Sequence, residues 1–297
     1  MIDLHTHTDR SDGSTAPEDL VRLAAAEGLR ALGISDHDTL AGYEAAGPAA
    51  AASGIELVCA VELSTRPNEH RVADKRERSV HVLGYWLLAP PTEEFRFWLQ
   101  SQQASRRQRN LDLMAKLQQL GVSITLQDAE VYGRSQVGLP HIARVLCDKG
   151  YVSSIQEAFD VYLADEAKAA VDRDEPTLEE GIRTIHDSGG LASLAHPVRL
   201  PQRGPELVRL VERLLDAGLE GIEVFHSEHA PADCAEYSQI ARRFNLIPTG
   251  GTDFHGDNKP GIQLGRGLDG NVSLGYDFLE QMRELYSARR QPVNGAV

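Results

Sequence analysis

Residues 1–14 read MIDLHTHTDRSDGS. An apolar start is followed at once by Asp3, His5 and His7, then by Asp9 and Asp12. In an extended strand, residues at i and i+2 share a face. Asp3, His5 and His7 therefore project together if IDLHTH is a strand. Two imidazoles with carboxylates nearby suit a divalent cation. Alone, the HxH pair reads as readily as an exposed polar terminus, so the rest of the chain decides.

The same arrangement recurs along the sequence. Short apolar runs, MIDLH, ALGISDHD, IELVCAVELS, SVHVLGYWL, LASLAHP, GIEVFHSEH and LIPTGGTDFH, alternate with helical patterns. Near-continuous apolar strands interleaved with helices indicate a parallel sheet or barrel. Thr15 and Glu18 have capping-box spacing at the start of the first helix, and Gly28 ends it. The Ala-rich helix that follows is expected to break near Gly47 and Pro48. From TEEFRFWLQ onward the alternation stops, with Leu111, Met114, Leu117 and Leu120 at helical spacing. Residues 92–172 thus read as an inserted helical subdomain within a domain formed by 1–91 and 173–297. One run after another ends in a potential ligand: His5 and His7, Asp36 and His37, Glu62, His196, His226, then Asp253 and His255, with His81 inside its strand. In β/α folds the functional face is the C-terminal end of the strands. That placement makes HTH one corner of a shared site.

Bulk properties narrow the function. The chain has 297 residues, 41% of them hydrophobic, and a net charge of −14, which disfavours a long polyanion as partner but not a small phosphorylated ligand held through metal ions. Cys59, Cys147 and Cys234 are scattered; they form no disulfide framework and read as small packed hydrophobes in a reducing, cytoplasmic setting. No run reaches the roughly 20 apolar residues of a membrane span, and the start lacks the pattern of a signal peptide.

Imidazoles and carboxylates without thiolate suit Mn, Zn, Fe or Mg. Nine candidate ligands exceed the needs of one tetrahedral ion, so two or three ions are expected. Adjacent ions of this kind bind a hydroxide, aim it at phosphorus and neutralise the transition-state oxygens.

The motifs DLHTHTDRSDG, GISDHDT, the VELS glutamate, HVLGY, LAHP and GTDFH, in this order, resemble those of the PHP family, named for its polymerase-associated and histidinol-phosphatase members. The resemblance implies an α/β fold, a distorted barrel of seven strands with a metal cluster at its mouth. It implies one ion on His5, His7, Glu62 and Asp253, a second on Asp12, His37 and His255, and a third sharing Glu62 with His81 and His196. Asp12 stands where some relatives have histidine, and its harder carboxylate moves the preference towards Mn or Mg. Manganese is the expected metal, with Zn, Fe and Mg left open.

Within the insert, YGRSQVGLPHIARVL resembles a block of PHP proteins that act as 3',5'-nucleoside bisphosphate phosphatases. That implies removal of the 3'-phosphate from a compound such as adenosine 3',5'-bisphosphate, leaving the 5'-nucleotide. Leu139 replaces the arginine usual in VGRPHIA. Arg134 suits a bidentate phosphate contact, Ser135 can donate to the same phosphate, and His141 stands where a helix would start, facing an anion. His226 and His229 are the candidates to protonate the leaving ribose oxygen, each with a solvated-loop alternative. His70 and His186 read as surface residues, Arg106, Arg107 and Arg109 as a solvated helix face, and Asp36 as a carboxylate orienting a ligand histidine. The rival functions are a 5'-to-3' exonuclease on short RNA, a histidinol-phosphate type phosphatase, an amide hydrolase on a related plan, and a metal-binding module without catalysis.

Overall fold

A computed structural model of the chain describes residues 1–66, 79–133, 136–164 and 167–290. Seven strands, β1 (Ile2–Thr6), β2 (Ala31–Ile34), β3 (Glu56–Thr65), β4 (Val80–Trp86), β5 (Leu191–Leu194), β6 (Gly221–Phe225) and β7 (Ile247–Gly250), lie in sequence order in one curled sheet. Its two edges meet: Asp253 N donates to His5 O (2.8 Å) and His7 N to Phe254 O (2.9 Å). A Cβ on Gly251 would lie 2.3 Å from His5 N, so only glycine permits that approach. This is the distorted seven-stranded barrel, with one difference from the expected parallel sheet. β4 runs antiparallel to both β3 and β5. The reversal puts the start of β4, and with it His81, at the same end as the C-terminal ends of its neighbours.

The connecting helices are α1 (Pro17–Ala26), α2 (Ala41–Ser53), α3 (Glu93–Gln119), α4 (Leu126–Glu130), α5 (Leu139–Asp148), α6 (Ile155–Ala158), α7 (Leu178–Asp187), α8 (Pro205–Leu215), α9 (Pro231–Arg243) and α10 (Tyr276–Arg290). The Thr15–Glu18 capping box does not form. Pro17 occupies the first turn of α1 behind Ala16, where its missing N–H needs no cap, and Thr15 O instead accepts from Asp9 N (2.9 Å). α2 runs unbroken through Gly47 and Pro48. Proline costs one backbone bond there, which the packing of Ala46 and Ala50 on either side of it offsets.

α7, α8 and α9 cover the outside of the sheet through Ile182, Ile185, Leu207, Val211 and Ile240, which cluster with Val61, Leu63, Val82 and Leu194. On the face of β3 that carries Glu62, Val58 and Ala60 pack with Leu83, Tyr85 and the α10 residues Leu279 and Met282. α3 starts on the barrel, where Phe95 and Leu99 join Trp86. Its second half builds a separate core, in which Leu113, Met114 and Leu117 meet Ile142, Val145 and Leu146 of α5. Of the expected stripe, Met114 and Leu117 are buried, while Leu111 and Leu120 are exposed. Cys59 is buried, Cys147 and Cys234 are half-buried, and all three are free. Among the described residues no helix is long and apolar enough to cross a membrane.

Candidate metal centre and adjoining cleft

The strand ends converge on Glu62. Its Oε1 lies 2.7 Å from His81 Nδ1 and 2.7 Å from His196 Nε2. Its Oε2 lies 2.9 Å from His7 Nε2, 3.3 Å from His5 Nε2 and 3.6 Å from His37 Nδ1. Asp253 Oδ1 is within 3.5 Å of His5, His7 and His255. Asp12 Oδ1 faces His255 Nε2 (3.1 Å) and His7 Nδ1 (3.3 Å), and its Oδ2 faces His37 Nε2 (3.6 Å). All nine residues expected as ligands thus lie in one cluster. Among the described residues, groups with ligand atoms within 4.8 Å of one another are His5, His7, Glu62 and Asp253; His7, Asp12, His37 and His255; His37, Glu62 and His81; and His5, Glu223 and His226. The first two contain the sets expected for two ions. In the third, His37 stands where His196 was expected, although His196 Nε2 is 3.3 Å from His81 Nδ1.

The donor set fits divalent cations. Buried His7 Nε2 and His37 Nδ1 make no hydrogen bond of good geometry, although Glu62 Oε2 lies beside both. Burial opposes a charged His5 or His7, yet the surrounding carboxylates outweigh it, lifting His5 and raising His7 to about 9. Burial likewise raises Glu62 and Asp253, but neighbouring cations hold both well below the ordinary carboxylate range. Such a centre demands positive charge, which imidazolium protons or bound cations can supply. His37 and His196, by contrast, are pushed down to about 3 by burial, which leaves their nitrogens as lone-pair donors.

Glu223 is the functional residue that the sequence reading passed over. It sits on β6, fully buried, and accepts from His5 Nδ1 (2.8 Å) and His196 N (2.6 Å). It thereby turns His5 Nε2 towards the centre, the usual work of a carboxylate behind a ligand histidine. The signal was a lone acid in the apolar strand GIEVF, a position where an unpaired charge is costly. Asp36 does not touch a ligand histidine. It accepts from Thr8 N (2.8 Å), Thr8 Oγ1 (2.7 Å) and Ser11 Oγ (2.6 Å), and so shapes the loop that carries Asp12. Asp3 also stays apart, accepting from Thr252 N (2.9 Å) and Gly265 N (2.8 Å), which ties β1 to the segment after β7. His196 (φ 24°) and Asp253 (φ 57°) hold left-handed backbone, a strain often found at functional sites.

A cleft of about 260 Å³ opens beside Asp12, His37 and His81, and its other walls include Arg106, Arg109, Gln136, Leu139, Pro140 and Phe159. Arg106 is no solvated helix residue: its side chain is 11% exposed and pairs with Asp38. Arg107 does face outward, paired with Glu130. His141 lies at the start of α5, buried, accepting from Gly138 N (3.0 Å), and its Nε2 has no partner. Arg134, Ser135 and His70 lie outside the described residues. His186 is a half-exposed residue of α7. His226 and His229 are buried and not solvated. His226 Nδ1 accepts from Glu228 N (3.0 Å), and its Nε2 faces Asp253 Oδ2 at 3.4 Å. His229 Nδ1 donates to Val224 O (2.9 Å), with its ring against Tyr237. Neither is among the residues lining the cleft.

The family model described as PHP domain matches residues 3–176. The chain belongs to the PHP family. It is 34% identical over 275 residues to a 5'-3' exoribonuclease of Haemophilus influenzae, covering 90% of this chain and 94% of the relative. It is 30% identical over 270 residues to a 3',5'-nucleoside bisphosphate phosphatase of Chromobacterium violaceum, covering 90% and 92%. Among solved PHP-like structures, a proposed metal-dependent phosphoesterase from Bifidobacterium adolescentis superposes with a TM-score of 0.79 at 28% identity, over 96% of each chain.

Proposed function

We propose that this metal-dependent PHP phosphoesterase removes the 3'-phosphate from nucleoside 3',5'-bisphosphates, giving the 5'-nucleotide. The observation that carries the reading is the cleft: ligand-bearing residues on one wall, Arg106, Arg109 and the Phe159 ring on the others, in a volume of about 260 Å³. Fixed guanidinium groups suit a second phosphate, and an aromatic face suits a base. The relative of Chromobacterium violaceum named for this activity supports the choice.

In this reading His5, His7, Asp12, His37, Glu62, His81, His196, Asp253 and His255 hold two or three divalent ions, with Mn preferred because the hard carboxylate of Asp12 stands where a softer imidazole could. Bound ions of this kind lower the pKa of water and neutralise charge on the phosphoryl oxygens. The chain's own residues do the rest. Glu223 fixes the tautomer and direction of His5. Arg134, Ser135 and His141 join Arg106 and Arg109 in holding the phosphate that is not cleaved. Residues 92–172 act as a substrate-binding subdomain on the barrel formed by 1–91 and 173–297.

A second reading, 5'-to-3' cleavage of short RNA, is favoured by a further polar cleft of about 310 Å³ along α3. It shares Arg106 and Gln136 with the first and would give a following nucleotide room. Product analysis in the presence of Mn, inorganic phosphate from the mononucleotides and 5'-mononucleotide from a trinucleotide, separates the two. The proposal expects adenosine 3',5'-bisphosphate to be turned over faster than either monophosphate and faster than a 5'-phosphorylated trinucleotide. Faster turnover of the trinucleotide, or equal turnover of all four, overturns it.

A further inference from the structure

The segment His37–Asp38 follows β2 as a loop, yet side chains from several other elements tether it. Asp38 is buried, with φ 51°, a left-handed conformation that aspartate tolerates better than most residues. Its Oδ1 accepts from Ser64 N (2.8 Å). Its Oδ2 accepts from Arg173 Nη2 (2.9 Å) and from Arg106 Nη2. Asp38 N donates to Glu62 O (3.1 Å). Two amides close over the backbone: Gln103 Nε2 donates to Asp38 O (2.9 Å) and Gln136 Nε2 to His37 O (2.8 Å). Arg173 is held in turn by Glu175 Oε1 (3.1 Å) and Gln102 O (3.1 Å), and Arg106 by Ser64 Oγ (2.8 Å).

Gln103, Arg106 and Gln136 belong to the helical insert, and Arg173 stands where the chain re-enters the barrel. Gln103, Arg106 and Arg173 converge on Asp38, the residue that follows a candidate ligand, and Gln136 holds that ligand's own carbonyl. A barrel loop of this length has no need of two buried guanidinium groups for its own stability, because a buried ion pair repays its desolvation poorly. What such a network supplies is a fixed geometry.

We propose that Asp38 is a positioning residue: gripped by the insert, it fixes His37, so that the insert sets the affinity of the cation site shared by Asp12, His37 and His255. The inference rests on the reading of those three side chains as ligands. It makes the insert part of the metal centre as well as a wall of the cleft.

Calorimetric titration of the metal-free full chain with Mn²⁺, with bound metal counted by elemental analysis, tests it. Asp38→Asn keeps the side chain's size and removes its charge; it is expected to weaken one Mn²⁺ site by about 10–100-fold, losing one ion per chain at limiting metal. Gln136→Ala removes a single amide donor and is expected to weaken the same site by about threefold to tenfold. Its metal-free unfolding temperature should match the wild type, and it decides the matter if Asp38→Asn fails to fold. Arg213→Ala, which breaks the remote pair with Glu179, should bind as the wild type does. If the wild type binds Mn²⁺ and both test variants bind it equally well, this inference alone is overturned. If the wild type has no stoichiometric site, the reading of the centre falls and takes this inference with it.

Discussion

At the scale of single residues, the centre is a balance of charge in a dry place. Glu62 touches five imidazoles, and its loss would leave each of them without a common anion. His5→Ala and Asp253→Ala are expected to abolish phosphate release, because each removes a ligand that no neighbour replaces. Glu223→Ala should instead lower metal affinity by about 10–100-fold, and Glu223→Gln should recover part of it, since the amide can still accept from His5. Mn²⁺ titration distinguishes these outcomes. Arg134→Ala is expected to raise KM for the bisphosphate while leaving a monophosphate substrate unaffected; an equal loss on both would remove the phosphate clamp from the account. Most of these residues were legible in the sequence because histidine and aspartate at strand ends have few structural reasons to be there. Glu223 and Arg106 were not. An acid in a strand and an arginine on a helix gain their meaning only from what they face, His5 in one case and Asp38 in the other.

At the scale of elements, helix and strand positions followed from apolar patterning, while strand direction and capping did not. β4 looks in sequence like its parallel neighbours, because a strand packed on both faces reads the same in either direction. Its reversal shows only in its antiparallel pairing with β3 and β5. α2 makes a further test possible. Pro48 is exposed in the interior of a continuous helix, so Pro48→Ala should stabilise the chain by about 1–3 kcal/mol in urea unfolding. Gly42, in the first turn of the same helix, is not replaceable: an added Cβ would lie 1.9 Å from Asp36 Oδ2. In α3, Met114 and Leu117 of the expected stripe are buried, and Leu113 rather than Leu111 joins them against α5. Leu117→Ala, at a site with no exposure, should cost about 2–5 kcal/mol.

At the scale of the whole molecule, stability and charge are coupled. Outside the centre, Glu228 is held at about 2 by its hydrogen bonds to Arg199, against an ordinary value of 4.5. Its contribution is therefore present above pH 4.5 and is lost as the pH falls towards 2. The gap in melting temperature between the wild type and Glu228→Gln should narrow over that range. The sequence by itself determined the class of fold and the residue types of the centre, because hydrophobic periodicity and the clustering of ligands at strand ends are local properties of the chain. Only the tertiary structure decided which carboxylate backs which imidazole, which way β4 runs, and how the insert grips the loop of His37. Those are contacts between residues up to 218 positions apart, and their geometry is set by packing that no local pattern encodes.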